Sequence, residues 1–514
     1  MRGWTSRELF FPLLFAGLQL SIHIAFSGSY GYFRDELYYI ACSEHLDWGY
    51  VDHPPLSIFI LAIGRFLFGD SLLGVRILAS LTGAVVVVLA ALIARQLGGG
   101  RFAQGLASGS VVAAHALIGS GRYFSMNAFD VLFWTLALYV VIRVIKEEDP
   151  RLWLVFGVLI GLGLQNKYSV GFLVIGLVAG LLLTRQRGQL LSKWFWAGAA
   201  MAAVLFLPHV LWQISHGFPS LEFMRRASQE KNIHLSWLEF LVGQIRDVNV
   251  VNALIWIPGI VFFFRHDKGK RYRLFGWAYL VIFAIMVLGN AKIYYLSPIY
   301  PLLLAGGAVW FEPWTAAGWK YGLRFVHATL LSLMALFALP FAVPVLPVET
   351  FVRYSRFLGL TPRAEEHQEL GSLPQYYADQ FGWPEMVEKV AGVYHTLSPE
   401  EQGQCVIYAR NYGEAGAIDF FGPRFGLPAA VSAHNSYWLW GPGERSGDVA
   451  IIFGFGGTLD EELEDLKGAY ESVEPAGETS CTYCMPFENG RRIFICRGMR
   501  TTFQQIWDGE RFYY

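Results

Sequence analysis

A small set of charged residues beside apolar stretches carries the chemistry this sequence could perform. Asp35-Glu36 follows the first apolar stretch, and Asp52-His53-Pro54-Pro55 precedes the second. Arg122 and Asp130 flank the start of a later one, Lys167 interrupts another, and Lys292 precedes one near the end of the apolar region. Ionisable groups at membrane depth are expensive, so each asks for a reason. Arginine and lysine bind phosphate oxygens and stabilise a phosphate leaving group. A carboxylate near a reactive carbon can take the proton from an incoming hydroxyl. The proline pair fixes the chain around Asp52 and His53. Together these residues describe a polar pocket suited to a membrane-borne phosphate ester.

The elements that position them follow from composition. Hydrophobic residues make up 54% of the 514-residue chain and charged residues 16%, against about 25% charge in soluble proteins. That excludes a disordered, collagenous or purely soluble protein. Spanning a bilayer takes roughly 20 apolar residues in a helix. Eleven stretches are expected to span: 8–27, 72–94, 102–119, 126–145, 152–165, 168–184, 194–212, 248–264, 274–289, 295–311 and 324–346. The fifth is short, and Gln165-Asn166-Lys167 reads as a helix interruption lining a cavity.

Charge divides the chain. Up to residue 346 there are 27 Lys and Arg against 17 Asp and Glu, and afterwards 13 against 24. The sequence therefore predicts a membrane domain over 1–346 and a soluble domain over 347–514. Seventeen of the 27 basic residues, from Arg2 and Arg7 to Lys320 and Arg324, fall in short connections on one alternating side. By the positive-inside rule that side is the cytoplasm. The N-terminus is then cytoplasmic, and the C-terminal domain lies outside with the loops at 28–71, 213–247 and 290–294. All the pocket residues share that external side.

The 28–71 loop is long enough to suggest a role. Phe33–Leu46 fits a helix lying in the interface, with Phe33, Leu37, Ile40 and Ala41 toward lipid or bundle and Asp35 pointing away. Beyond residue 350, Cys405–Ala409, Asp448–Phe455 and Arg492–Cys496 read as strands. Leu459–Tyr470 and the stretch after Asn411 read as helices. That alternation predicts an α/β domain. Cys481 and Cys484 have a C-x-x-C spacing, but no second pair completes a zinc site. The aromatic run 434–440 is expected to pack the domain onto the membrane part, with glycan binding by ring stacking the other reading. No nucleotide-binding glycine pattern is present, which points to a lipid-linked donor, and no nucleic-acid partner is expected.

The strings Phe33–Ile40, Asp52-His53-Pro54-Pro55-Leu56, Gly121-Arg122-Tyr123 and Met126–Asp130 resemble glycosyltransferase family 39, which has the GT-C fold. Lys292–Pro301 is similar to that family's late Lys-x-x-x-Tyr-x-x-Pro segment. The likeness covers about 1–312 and implies a polytopic GT-C transferase of a bacterial cytoplasmic membrane. It implies a polyprenyl-phosphate-linked sugar donor, with a glycolipid, glycan or protein as acceptor among the membrane lipids. Asp35 matches the catalytic aspartate, expected to be the base of an inverting displacement, and Glu36 the second acid of that motif. His53, Arg122, Lys167, Lys292 and Asp130 are the expected donor phosphate or sugar contacts. Asp52 with His53 replaces a Glu-Lys pair of the aminoarabinose transferases. There the acid can ligate a divalent metal, so phosphate contact and metal ligation are both open for these two. A multi-pass transporter of a polar solute is the other reading of intramembrane charge. Clustering of the charges at one face, with no internal repeat, favours the transferase.

Overall fold

The computed structural model describes residues 6–231, 233–360, 362, 367–454 and 456–514. Arg2 of the basic side and Phe455 of one predicted strand lie outside the described residues. Every predicted span is helical, but not every one is a straight crossing. Among the described residues seven helices are long and apolar enough to span: Leu9–Phe26, Leu72–Gln96, Met126–Glu147, Lys193–Ser215, Lys270–Leu288, Ile293–Trp314 and Gly318–Ala342. Two more qualify only as bent pairs, Val170–Leu182 with Arg185–Leu191 (115°) and Trp237–Asp247 with Val250–Arg265 (105°). The expected span 102–119 is broken into Arg101–Ala113 and His115–Ser120. The short fifth one is the helix Leu152–Asn166. So the count is seven to nine by length and composition, where the sequence predicted eleven.

Small residues set how closely these helices pack. At Gly157 and Gly198 each Cα faces backbone of the opposite helix, so a Cβ on either would strike it. Leu152–Asn166 is thereby pressed against Lys193–Ser215. Gly259 and Gly307 do the same for Ala253–Arg265 and Tyr300–Trp314. Without a hydrophobic force between helices in lipid, such close backbone approach is what holds them.

The C-terminal part is a five-stranded mixed sheet: β1 (Val406–Ala409), β2 (Ala430–Val431), β3 (Val449–Phe453), β4 (Tyr470–Glu478) and β5 (Arg492–Met499). The order is β2-β1-β3-β5-β4, with β1 parallel to β2 and β3, and β5 antiparallel to β3 and β4. The three predicted strands are there, all of β3 being buried. Two were missed. β2 is two residues long, and β4 is a mostly exposed edge carrying Pro475 and a register shift, as edge strands often do.

The helix Arg34–Glu44 is where the two parts meet. The sequence placed its apolar side against lipid or bundle. Instead all its residues except Asp35 and Glu44 are buried. Leu37, Tyr38 and Ile40 share one hydrophobic core with Trp383, Ile418 and Ile451 of the C-terminal part. Its second face is covered by the helix Tyr412–Phe421. Gly413 and Gly416 let that helix approach: a Cβ on Gly416 would lie 2.9 Å from the Leu37 carbonyl carbon.

Candidate active site

Asp35 sits in the first turn of Arg34–Glu44 and is half-exposed. The Tyr412 hydroxyl donates to Asp35 Oδ1 at 2.9 Å, and an Arg34 guanidinium nitrogen donates to the Tyr412 oxygen at 2.8 Å. Burial pushes the Tyr412 hydroxyl well above the usual phenol range, so it stays a donor. The Arg34 guanidinium also lies over the Tyr412 ring, 4.7 Å from its centroid. A residue of the C-terminal domain thus orients the carboxylate.

Glu36 is placed differently. It is fully buried and bonded to Arg76 through both oxygens, at 2.9 and 2.6 Å. It also accepts the backbone N–H groups of Phe33 (2.9 Å) and Phe124 (2.7 Å). Arg76 in turn donates to the carbonyls of Ser27 and Gly31. One carboxylate therefore ties the start of its own helix, the Leu72–Gln96 helix and the 121–125 segment together. Four donors occupy its lone pairs.

One turn on from Asp35, Tyr38 donates to Asp52 Oδ1 at 2.8 Å and lies 2.7 Å from Ser436 Oγ. Tyr412 bonds Asp35 and packs against Tyr38, which bonds Asp52, so the two acids are linked through two neighbouring phenols. His53 is fully buried, its Nδ1 3.0 Å from the Pro54 carbonyl oxygen, which fixes Nδ1 as the donor. Its Nε2 finds no hydrogen-bond partner and lies 4.0 Å from Asp52. A divalent ion held by protein needs several oxygen or nitrogen ligands. Among the described residues no three His, Cys, Asp or Glu side chains come together to hold one. Asp52 and the Nε2 of His53 would supply at most two protein ligands, so an ion held there would take the rest from water or a phosphate.

A second cluster forms at the predicted break. Lys167 is extended between the helices Leu152–Asn166 and Val170–Leu182. Its Nζ lies 2.6 Å from Asn127 Oδ1 and 3.8 Å from Asp130 Oδ2, over the Tyr295 ring at 4.6 Å. Ser169 donates to Asp130 at 2.7 Å. Lys292 caps the 3-10 helix Ile293–Ile299 that carries Tyr294 and Tyr295, so both lysines border the same segment. Arg122 is apart from both clusters. It donates to the Ala342 carbonyl at 3.0 Å and lies 4.1 Å from the Tyr376 ring centroid, pinning the C-terminal domain where the last membrane helix ends.

Tyr412, Tyr38, Ser436, Asn127 and Arg76 were not singled out in the sequence. Arg76 carried a signal, being an arginine inside an expected span. Tyr412 had a weaker one: Asn411 and Glu414 form a capping box that fixes the helix start, putting Tyr412 in its first turn. The aromatic run does pack onto the membrane part, Trp440 stacking on His45 at 4.3 Å.

Residues 52–212 match the family model for dolichyl-phosphate-mannose-protein mannosyltransferase. The lipid A galacturonosyltransferase RgtD of Rhizobium johnstonii is 24% identical over 78% of this chain and 84% of its own length. An undecaprenyl phosphate-alpha-4-amino-4-deoxy-L-arabinose arabinosyl transferase of Pseudomonas fluorescens is 25% identical, over 65% of this chain and 58% of its own length. The chain thus spans little more than half of that second relative. Among solved structures, ArnT from Cupriavidus metallidurans bound to undecaprenyl phosphate has the same fold. Its TM-score is 0.61 at 15% identity, over 95% of this chain and 98% of that one.

Proposed function

We infer that the chain, which has the fold of the ArnT structure and resembles glycosyltransferase family 39 over residues 52–212, is a GT-C transferase of that kind, and that Asp35 is the base of an inverting sugar transfer at the external membrane face. The donor is a sugar on a polyprenyl phosphate, and the acceptor is a hydroxyl of a lipid, glycan or protein. Two relatives carry names of transferases that use such donors, and a third is named a lipid A galacturonosyltransferase. The acceptor oxygen attacks the anomeric carbon, Asp35 takes its proton, and the lipid phosphate leaves, so configuration at that carbon inverts.

One observation carries the choice of base. Glu36 is enclosed by four protein donors, while Asp35 is half-exposed and aimed by Tyr412. Glu36 then serves by holding the helix that presents Asp35. Lys167 and Lys292 are the cations for the donor phosphate, with Asn127 and Asp130 setting the position of Lys167. Asp52 is held by the Tyr38 hydroxyl with the fully buried His53 4.0 Å away, so His53 acts on the site through Asp52 and not by direct contact with substrate. Arg122 contributes by seating the C-terminal domain. The basic residues of the short loops support a cytoplasmic N-terminus and an external C-terminal domain in a bacterial inner membrane.

Replacing Asp35 by Asn tests this. Transfer from a polyprenyl-phosphate sugar should fall by about 10²- to 10⁴-fold, the usual contribution of a positioned base. Native mass spectrometry of the purified variant should still show the bound donor. Transfer at the wild-type rate would remove Asp35 from the base role.

A further inference from the structure

The Cys481-Thr482-Tyr483-Cys484 segment has no part in the transfer chemistry. It follows β4 and leads into the turn Pro486–Glu488. Both cysteines are free thiols, Cys481 partly exposed and Cys484 buried. The Cys484 backbone N–H points at Cys481 Sγ, 3.1 Å away, and Cys484 Sγ is 3.6 Å from the Cys481 carbonyl oxygen. The two thiols are neighbours and influence each other unequally. Cys484 beside it holds the Cys481 thiol down at about 7, while the same proximity and burial push Cys484 far up.

The surroundings favour a sulfur anion at Cys481. Gly382 is the N-cap of the helix Trp383–Tyr394, which has no side-chain cap. A Cβ on Gly382 would come within 3.0 Å of Cys481 Sγ. Glycine there leaves the sulfur at the positive end of a helix. The charged groups facing the pair are Glu385 on that helix and Glu488, and both oppose ionisation. One accessible, ionisable sulfur beside one buried, protonated sulfur at i, i+3 is the arrangement of a dithiol that exchanges with disulfides.

We propose that Cys481 and Cys484 are a reversible redox site that exchanges with an external disulfide and is mechanically joined to the catalytic helix. The Cys481 thiolate attacks one sulfur of the incoming disulfide, whose S–S bond breaks as its other sulfur leaves as thiolate. Cys484 gives up its proton and attacks Cys481 Sγ in the mixed disulfide, releasing the second thiol. Two electrons and two protons pass from the pair to the incoming disulfide, which becomes two thiols.

The segment that follows runs to the site. Met485 is buried in one cluster with Tyr30 and Tyr377. The Phe487 ring lies under the Arg34 guanidinium, 5.9 Å from its centroid. Glu488 accepts from Asn411 Nδ2 at 3.1 Å, and Asn411 caps the helix that begins with Tyr412. A disulfide fixes the sulfurs at about 2.05 Å and ties to Cys481 the residue that leads directly into the contacts of Phe487 with Arg34 and of Glu488 with Asn411. The effect on turnover rests on the role given to Asp35, whereas the thiol exchange does not.

The test uses the full chain in mild detergent, equilibrated in stepped ratios of reduced and oxidised glutathione, quenched in acid, alkylated and mapped by mass spectrometry. Cys481 and Cys484 should lose alkylation together at one two-electron midpoint, while the buried Cys42, Cys405 and Cys496 do not follow it. Alkylation of Cys481 in the reduced protein should rise with a midpoint near pH 7. In Cys484→Ala it should move toward about 8.5, the value of an ordinary thiol. Two thiols that stay alkylatable in oxidised glutathione and in an oxidised protein dithiol overturn the site. Exchange with only one of the two reagents identifies the source as small molecule or protein. Transfer rates should differ severalfold between oxidised and reduced wild type and not in Cys481→Ser. Equal rates in wild type overturn the link to Asp35, and this outcome is distinct from a failure of Asp35 itself, read by Asp35→Asn.

Discussion

Tyr412 and Asp35 lie 377 positions apart and share one hydrogen bond, with the phenol oxygen 2.9 Å from Oδ1. Arg34 occupies a lone pair of that oxygen, which turns its proton toward the carboxylate. The C-terminal domain thereby reaches Asp35 directly. The ring packs against Arg34 and Tyr38, the latter at 4.6 Å between centroids, so the hydroxyl can be removed without removing the packing.

Tyr412→Phe separates those two roles. A hydrogen bond to a charged group is worth about 1.5–3 kcal/mol, so kcat should fall roughly tenfold or more. The KM for the lipid-linked donor should stay near wild type, because Lys167 and Lys292, the cations proposed for the donor phosphate, belong to the second cluster and not to that of Tyr412. Steady-state kinetics with purified donor decide it. An unchanged kcat would reduce Tyr412 to a packing residue.

Glu36 and Arg76 should behave as a structural pair. Removing one partner of a buried ion pair leaves the other uncompensated, at a cost of about 3–5 kcal/mol. Glu36→Gln and Arg76→Met should each unfold at clearly lower temperature by intrinsic fluorescence in detergent, with Asp35→Asn close to wild type. A Glu36→Gln protein of full stability and no activity would instead give Glu36 a direct part in the reaction.

The sequence made the acids legible and left their partners hidden, for physical reasons. Asp35 stands out because a carboxylate at the end of an apolar span is costly. Lys167 stands out because it interrupts one. The hydrogen bond from Tyr412 has no local signature, since nothing within a few residues of either partner records it. The Arg34–Glu44 helix misled for a related reason. Its amphipathic pattern assumes one buried face, and here both faces are covered, one by the membrane helices and one by Tyr412–Phe421. The seven-to-nine count by length differs from the expected eleven where an apolar helix is shorter than the membrane is thick. The helix Leu152–Asn166 is 15 residues, or about 22 Å against a hydrocarbon core of about 30 Å.

Gly416 tests whether the domain contact matters. A Cβ there would meet the Leu37 carbonyl carbon at 2.9 Å and the Tyr38 nitrogen at 3.1 Å, both backbone atoms that cannot swing aside. Gly416→Val must therefore push Tyr412–Phe421 off the Arg34–Glu44 helix. Transfer should drop by at least the roughly tenfold expected from losing the Tyr412 bond, and limited proteolysis should cut the 343–347 connection faster. Wild-type transfer with this substitution would mean that the two helices can separate without cost to the site.

Asp419 gives the C-terminal domain a pH signature. Its carboxylate accepts the Tyr437 hydroxyl at 2.6 Å and the Ala430 N–H at 2.8 Å, yet burial outweighs both and pushes it up to about 6. In the unfolded chain an aspartate titrates near 3.9. Between those values the folded domain holds a proton that the unfolded chain has released, so stability falls as pH rises. The contribution is complete below about pH 4 and is lost as pH passes through 6, amounting to about 3 kcal/mol over the window. The amide introduced by Asp419→Asn has no such proton to lose. The stability of wild type relative to Asp419→Asn should therefore decline between pH 4 and 7, read as unfolding temperature at each pH. A difference that stays constant or grows with pH would show that Asp419 is ionised throughout, with its two hydrogen bonds outweighing its burial.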